Sequence, residues 1–155
     1  FTIDFPQNIT QVHFIKLRLF DTKGKEVANT FYWRSNDKYE GRKTLTGPTS
    51  SGFEDLSKLK QVQLKTRYKA YQEGDRHFIK AEIKNPSSTV AFFTQLQLLD
   101  QDKKPVRPSF YTDNFFSLLP GESKTVIIET ATSDMPSEPT FVVKGWNIKS
   151  NNFKL

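Results

Sequence analysis

The chain has 155 residues, 23 Lys and Arg against 17 Asp and Glu for a formal net charge of +6, and no cysteine. Without cysteine there are no disulfides, no thiolate nucleophile and no cysteine-based metal site. No apolar run in the sequence approaches the ~18–20 residues that cross a bilayer, and none reads as the apolar core of a signal peptide, so no membrane span is expected.

That length suits one domain, or one domain with part of another. Aromatic residues make up 14%, most of them Phe, which suits β-strands and sugar-stacking surfaces alike. The basic excess is scattered among acids. Its densest part, Lys58 to Lys69, sets Val62 and Leu64 between charges, as the wet face of an edge strand does, so no nucleic-acid partner is expected. Because the chain opens on Phe1 rather than Met, it is expected to be a segment of something longer.

In chain order, Phe1 to Pro6 alternates apolar and polar residues and stops at proline, a short strand. Val12 to Phe20 is the next strand, with Phe14, Leu17 and Leu19 as core candidates. Asp21 to Lys25 is a turn, and Glu26 to Trp33 returns as the partner of a hairpin. Ser35 to Ser51 is polar, broken by Gly47-Pro48, and reads as a crossing loop. Phe53, Leu56 and Leu59 have helical spacing with acids early and Lys58 late, which predicts one short helical turn.

From there the pattern is that of a complete sandwich. Val62 to Tyr71 and Arg76 to Lys84 are strands around the turn at Gln72–Asp75, with Phe78 and Ile83 as anchors. Asn85 to Ser88 is a turn. The stretch from Val90 to Glu129 is the centre: Gln95, Leu96, Gln97 and Leu98 have the period of two of a half-buried strand. Val106 to Phe110 is expected to return beside it, Pro120-Gly121 to mark a further turn, and Ser123 to Glu129 to follow. Thr140 to Ile148 is the closing strand. About seven strands is the count of an immunoglobulin-like sandwich.

One interval recurs. Phe14, Leu17, Leu19, Asp21, Val27, Phe31 and Tyr32 match Phe93, Leu96, Leu98, Asp100, Val106, Phe110 and Tyr111, each pair offset by 93 − 14 = 79. Two hairpins of similar build follow, either from two related modules or from equal loop length alone. The expected organisation is residues 1–34 as the last strands of a truncated β-sandwich, 35–60 as a crossing loop with a short helix, and 61–155 as a complete immunoglobulin-like β-sandwich.

Residues for chemistry are few. His13 and His77 each fall in a strand with no carboxylate or serine at motif spacing, and read as surface or strand-edge side chains. Glu54 and Asp55 sit a turn from Lys58, as a solvated ion pair would, and Glu129, Asp134 and Glu138 fall at strand ends and turns. No paired carboxylates of a glycosidase, phosphate loop or calcium loop is found, so no catalytic residue, metal site or cofactor is expected. Asp113-Asn114 is the one polar pair inside an aromatic segment. With Tyr111 and Trp146 it forms the candidate carbohydrate-contact set, two amide or carboxylate groups beside stacking rings. The bland reading is that the Asx side chains cap a bend and the rings fill a core.

At Asn29-Thr30-Phe31-Tyr32-Trp33, at Phe53-Glu54-Asp55-Leu56 with Leu59, and at Asp113 to Ser123 and Gly145-Trp146-Asn147, the chain resembles the C-terminal immunoglobulin-like region of family 2 glycoside hydrolases, in the branch of exo-β-D-glucosaminidases and β-mannosidases. The resemblance implies a parent enzyme whose catalytic barrel lies elsewhere, which removes β-linked glucosamine or mannose from chain ends with retention. It implies that this region braces the barrel and that the parent is an exported, periplasmic or extracellular, bacterial protein. The other classes open to the sequence are an autonomous carbohydrate-binding module and a cell-surface interaction domain. A truncated first sandwich also predicts self-association through residues 1–34, whose strand edges and apolar side chains would lack their partners.

Overall fold

A computed structural model describes residue 4, residues 6–36 and residues 52–155. The strand expected over Phe1 to Pro6 and most of the loop expected over 35–51 fall outside them. The chain divides into two compact units, Phe1–Leu59 and Lys60–Leu155.

The first unit is a long antiparallel hairpin, β1 (Val12–Phe20) with β2 (Glu26–Ser35), followed by a 3-10 turn over Glu54–Lys58. The register from Val12↔Ser35 to Leu19↔Ala28 is unbroken, with an irregularity at Phe20 beside the turn. Arg18 and Glu26 close the turn end with an ion pair of 2.6 Å. The helical turn appears where its pattern placed it, with Leu56 buried and Lys58 paired to Asp55 at 2.7 Å. Two core expectations need correction. Leu17 and Leu19 are 42% and 62% exposed, because among the described residues β1 and β2 form a sheet of two strands, with no second layer to cover one face. His13, read as a surface or strand-edge residue, is buried.

The second unit is an all-β, immunoglobulin-like sandwich. Strands β3 (Lys65–Glu73), β4 (Arg76–Lys84), β8 (Ser123–Ala131) and β6 (Phe110–Tyr111) form one sheet in the order β3-β4-β8-β6. Strands β10 (Ile148–Lys154), β9 (Thr140–Gly145), β5 (Ala91–Leu99) and β7 (Phe116–Leu118) form the other, in the order β10-β9-β5-β7. Alternation aims one side of each strand inward. Ile79↔Ile128 and Ala81↔Val126 are cross-strand pairs in the first sheet, Leu96↔Val143 and Leu98↔Phe141 in the second. All eight are buried in one cluster with Ile83, Val62, Leu64 and Leu118.

Three expectations change here for stated reasons. Phe78 and Ile83 are five residues apart in a period-two strand, so they face opposite sides; Ile83 is in the core, and Phe78 stacks on Tyr71 outside it at 5.3 Å. Val106 to Phe110 does not run back along β5. Only Leu99↔Pro105 bridges, Val106 donates its N–H to Leu98 O at 2.9 Å, and the chain then crosses so that Phe110 and Tyr111 pair with β8. The closing strand ends at Gly145 and turns through Trp146-Asn147 into β10, making eight strands in this unit instead of about seven. The first strand begins at Lys65, with Val62 making an isolated parallel bridge to Ile148. Among the described residues, no helix is long and apolar enough to cross a membrane.

Candidate functional site

Tyr111 ends β6, Asp113 and Asn114 follow on the crossing from β6 to β7, and Trp146 lies in the turn from β9 to β10. The first three are engaged within the fold. The Tyr111 hydroxyl accepts the Leu98 N–H at 3.0 Å, and burial pushes its phenol pKa up. Asn114 pairs with the backbone of Leu96 in both directions, accepting its N–H at 2.8 Å and donating to its carbonyl at 3.0 Å, while its oxygen also takes the Phe115 N–H at 3.1 Å. Its carboxamide thus stands in for a neighbouring strand where β7 stops short. Asp113 forms an ion pair with Lys124 of β8 and accepts the Asn114 N–H at 2.7 Å. Lys124 also lies 5.0 Å from the centre of the Phe116 ring.

Trp146 differs: it is 60% exposed. The turn that carries it is held by Asn147, whose oxygen accepts the Phe92 N–H at 2.9 Å and whose amide donates to the Val90 and Lys60 carbonyls, both at 2.9 Å. Trp146 in turn donates its backbone N–H to Phe92 O at 3.0 Å. Gly145 permits this approach, since a Cβ there would lie 2.9 Å from Phe93 O and 3.0 Å from Phe92 O.

Opposite that turn, β5 is irregular between Ala91 and Thr94. Phe93 takes φ 58° and Phe115, at the mouth of β7, takes φ 56°. A left-handed backbone at a bulky residue is uncommon and costs of order 1–3 kcal/mol. The result is a continuous row of rings. Trp146 lies 6.4 Å from Phe92, Phe92 lies 5.7 Å from Phe93, and Phe93 lies 5.4 Å from Phe115. Phe92 is buried beneath the row, whereas Phe93 and Phe115 are 38% and 50% exposed. The structure therefore links Trp146, through Phe92, with two rings that the sequence reading left out, while the polar tips of Tyr111 and Asn114 are taken up by the backbone of β5. The available signal was the Phe92-Phe93 doublet, which breaks the alternation of its strand. Elsewhere, a shallow open cleft is lined by Asp100, Arg107, Asp134 and Ser137 among others, but the Asp100 carboxylate is bound into its own turn.

The exo-β-D-glucosaminidase Ig-fold domain model matches residues 44–148. The chain belongs to that family. Similar to this Ig-fold domain are the exo-β-D-glucosaminidase of Streptomyces avermitilis, 31% identical over 149 residues, and that of Amycolatopsis orientalis, 30% identical over 158 residues. These alignments cover 90% and 94% of this chain but only 16% and 15% of the relatives, so the chain spans about one sixth of their length. The crystal structure of Amycolatopsis orientalis exo-chitosanase CsxA superposes on the whole chain at a TM-score of 0.84 and 25% identity, over 19% of its own length. The hairpin of β1 and β2 precedes the Ig-fold match and is still covered by that superposition.

Proposed function

We propose that the chain is the non-catalytic accessory C-terminal region of a family 2 glycoside hydrolase of exo-β-D-glucosaminidase or β-mannosidase type, bracing a catalytic barrel supplied by the rest of the polypeptide. The observation that carries this reading is the superposition of the entire chain on about one fifth of an exo-chitosanase. Residues 1–34 are then the last strands of a preceding sandwich, residues 35–60 the crossing, and residues 61–155 the complete final domain. The exposed face of Leu17 and Leu19 is the face that the preceding strands would cover, and self-association through it is what the isolated chain would show. Export to the periplasm or beyond belongs to the same reading.

The test is a hydrolysis assay with glucosamine and mannose oligosaccharides alongside a binding titration of the same sugars. The chain alone is expected to be silent in both. Turnover would overturn the accessory reading, and saturable binding without turnover would replace it by a carbohydrate-binding module.

A further inference from the structure

Phe93, Phe115 and Trp146 are exposed, and buried Phe92 joins Trp146 to the other two rings. Phe93 and Phe115 both lie in the left-handed region: Ser117 Oγ, from another strand, accepts the Phe93 N–H at 3.2 Å, and the side chain of the preceding residue, Asn114, itself bonded to Leu96, accepts that of Phe115. Backbone strain at such positions persists only where surroundings over-determine it, and it gathers where a surface has work to do. Rings that are already ordered lose little conformational entropy when something settles on them.

The chemistry of the row narrows what that something is. A sugar is bound by rings together with convergent donors and acceptors at their rim. Here the neighbouring polar groups point away. Asn114 is spent on Leu96, Asn147 on Phe92, Val90 and Lys60, and Ser117 receives Phe93. Two of the three exposed rings are phenylalanines, which carry no polar handle. A surface of this kind fits a dry apolar protein face, with tryptophan as the anchor type that dominates such contacts. The source of that face is suggested by length: in the two curated relatives some five-sixths of the polypeptide lies outside the segment this chain matches.

We propose that Phe93, Phe115 and Trp146 form the surface through which this domain docks against an aliphatic or aromatic face elsewhere in its own polypeptide. The proposal rests on the accessory reading and names the place where bracing occurs. Phe110, 58% exposed on the other sheet, and Tyr68 on β3 serve as internal references.

Hydroxyl-radical footprinting of the full-length polypeptide, read by mass spectrometry and normalised to the intrinsic reactivity of each ring, tests it. Trp146 and Phe115 are expected to be labelled several-fold less than Phe110, although Trp146 and Phe110 are equally open within the domain. Phe115→Gly, which the positive φ accommodates, is expected to raise the labelling of Trp146 in the full-length protein. Protection of Phe110 and Tyr68 with Trp146 and Phe115 reactive would overturn the proposal and leave the accessory reading standing. Equal labelling of all four would overturn both. Protection of Trp146 that appears only on adding glucosamine oligosaccharide would overturn the proposal in favour of a sugar site.

Discussion

Asp21 and Asp100, 79 residues apart, close their turns with the same four hydrogen bonds. The Asp21 side chain accepts the N–H groups of Lys23 and Lys25 at 2.8 and 2.9 Å, its own N–H donates to Lys25 O at 2.9 Å, and its carbonyl accepts from Gly24 at 3.0 Å. Asp100 repeats this with Asp102, Lys104 and Lys103 at 2.9, 2.8, 2.9 and 3.0 Å. Even the closing pair repeats, Phe20↔Glu26 against Leu99↔Pro105. Beyond it the two diverge, since β2 follows β1 to Ser35 while the later segment changes sheets.

The two turns differ at one position, and the difference is measurable. Gly24 has φ 76° and its counterpart Lys103 φ 62°. A side chain in the left-handed region costs roughly 1–2 kcal/mol, part of which glycine returns through its freer unfolded state. Lys103→Gly is expected to stabilise the sandwich by about 0.5–1 kcal/mol in urea unfolding. Asp100→Ala, which frees two backbone donors, is expected to cost about 1–2 kcal/mol. A loss of stability in the glycine variant would show that the strain assignment is wrong.

Much of the sandwich was legible because Gln95, Leu96, Gln97 and Leu98, and likewise Ile79, Ala81 and Ile83, alternate with their burial. What escaped was set by tertiary pairing. The tenth strand reads Ile148-Lys149-Ser150-Asn151-Asn152-Phe153-Lys154, too polar to signal a strand, yet Asn151 reaches Gln63 and Leu64. The sheet change after Pro105 is masked by Val106 and Phe110, which carry the same apolar pattern as the true hairpin at Val27 and Phe31, but Pro105 and Pro108 stand where that hairpin has Glu26 and Asn29, and proline cannot donate to a strand ladder. At the candidate site the polar residues were conspicuous by type, and their direction was not. Phe93 and Phe115 were left out of the candidate set because nothing in a sequence announces a left-handed phenylalanine.

Asn147 is expected to be a costly polar residue to remove. Its side chain is the partner of one buried N–H and two carbonyls. Asn147→Ala should destabilise by about 3 kcal/mol or more, because each orphaned buried group costs of order 1–3 kcal/mol. Asn147→Asp should not rescue it, since a carboxylate would set its second oxygen against the Lys60 and Val90 carbonyls. Rescue by aspartate, seen as a wild-type urea midpoint, would refute this account of the turn.

Tyr111 makes stability depend on alkaline pH. Burial raises its phenol pKa in the fold above the ordinary value near 10. Between the unfolded and folded pKa the unfolded chain has released the proton and the native one retains it, so stability falls as pH rises through that window and is undiminished below it. Tyr111→Phe should be less stable at pH 7 through loss of the Leu98 hydrogen bond, by about 1 kcal/mol. Above pH 10 the gap between the two proteins should narrow, and a gap that widens would contradict the sign.

Phe115 offers a reversal of the usual rule. Glycine in a strand is ordinarily less stable than alanine by about 0.5–1 kcal/mol. With φ at 56°, Phe115→Gly is expected to equal or exceed Phe115→Ala in thermal unfolding. The ordinary order, with alanine ahead, would mean that the backbone relaxes once the ring is gone and that the ring itself imposes the conformation.

The hairpin of the first unit gives the last prediction. Cross-strand register places Ile15, Leu17 and Leu19 on one face with Tyr32, Thr30 and Ala28 opposite them. Leu17, Leu19 and Tyr32 are all exposed, and a two-stranded ribbon offers two open edges as well. The isolated chain is therefore expected to associate with rising concentration in light scattering. Leu19→Lys sets a charge in the middle of that face without touching a buried residue, so it should restore the monomer and leave the unfolding midpoint unchanged. A wild-type chain that stays monomeric at high concentration would show that this face is quiet without its neighbouring strands. Association that survives Leu19→Lys would assign it to another surface.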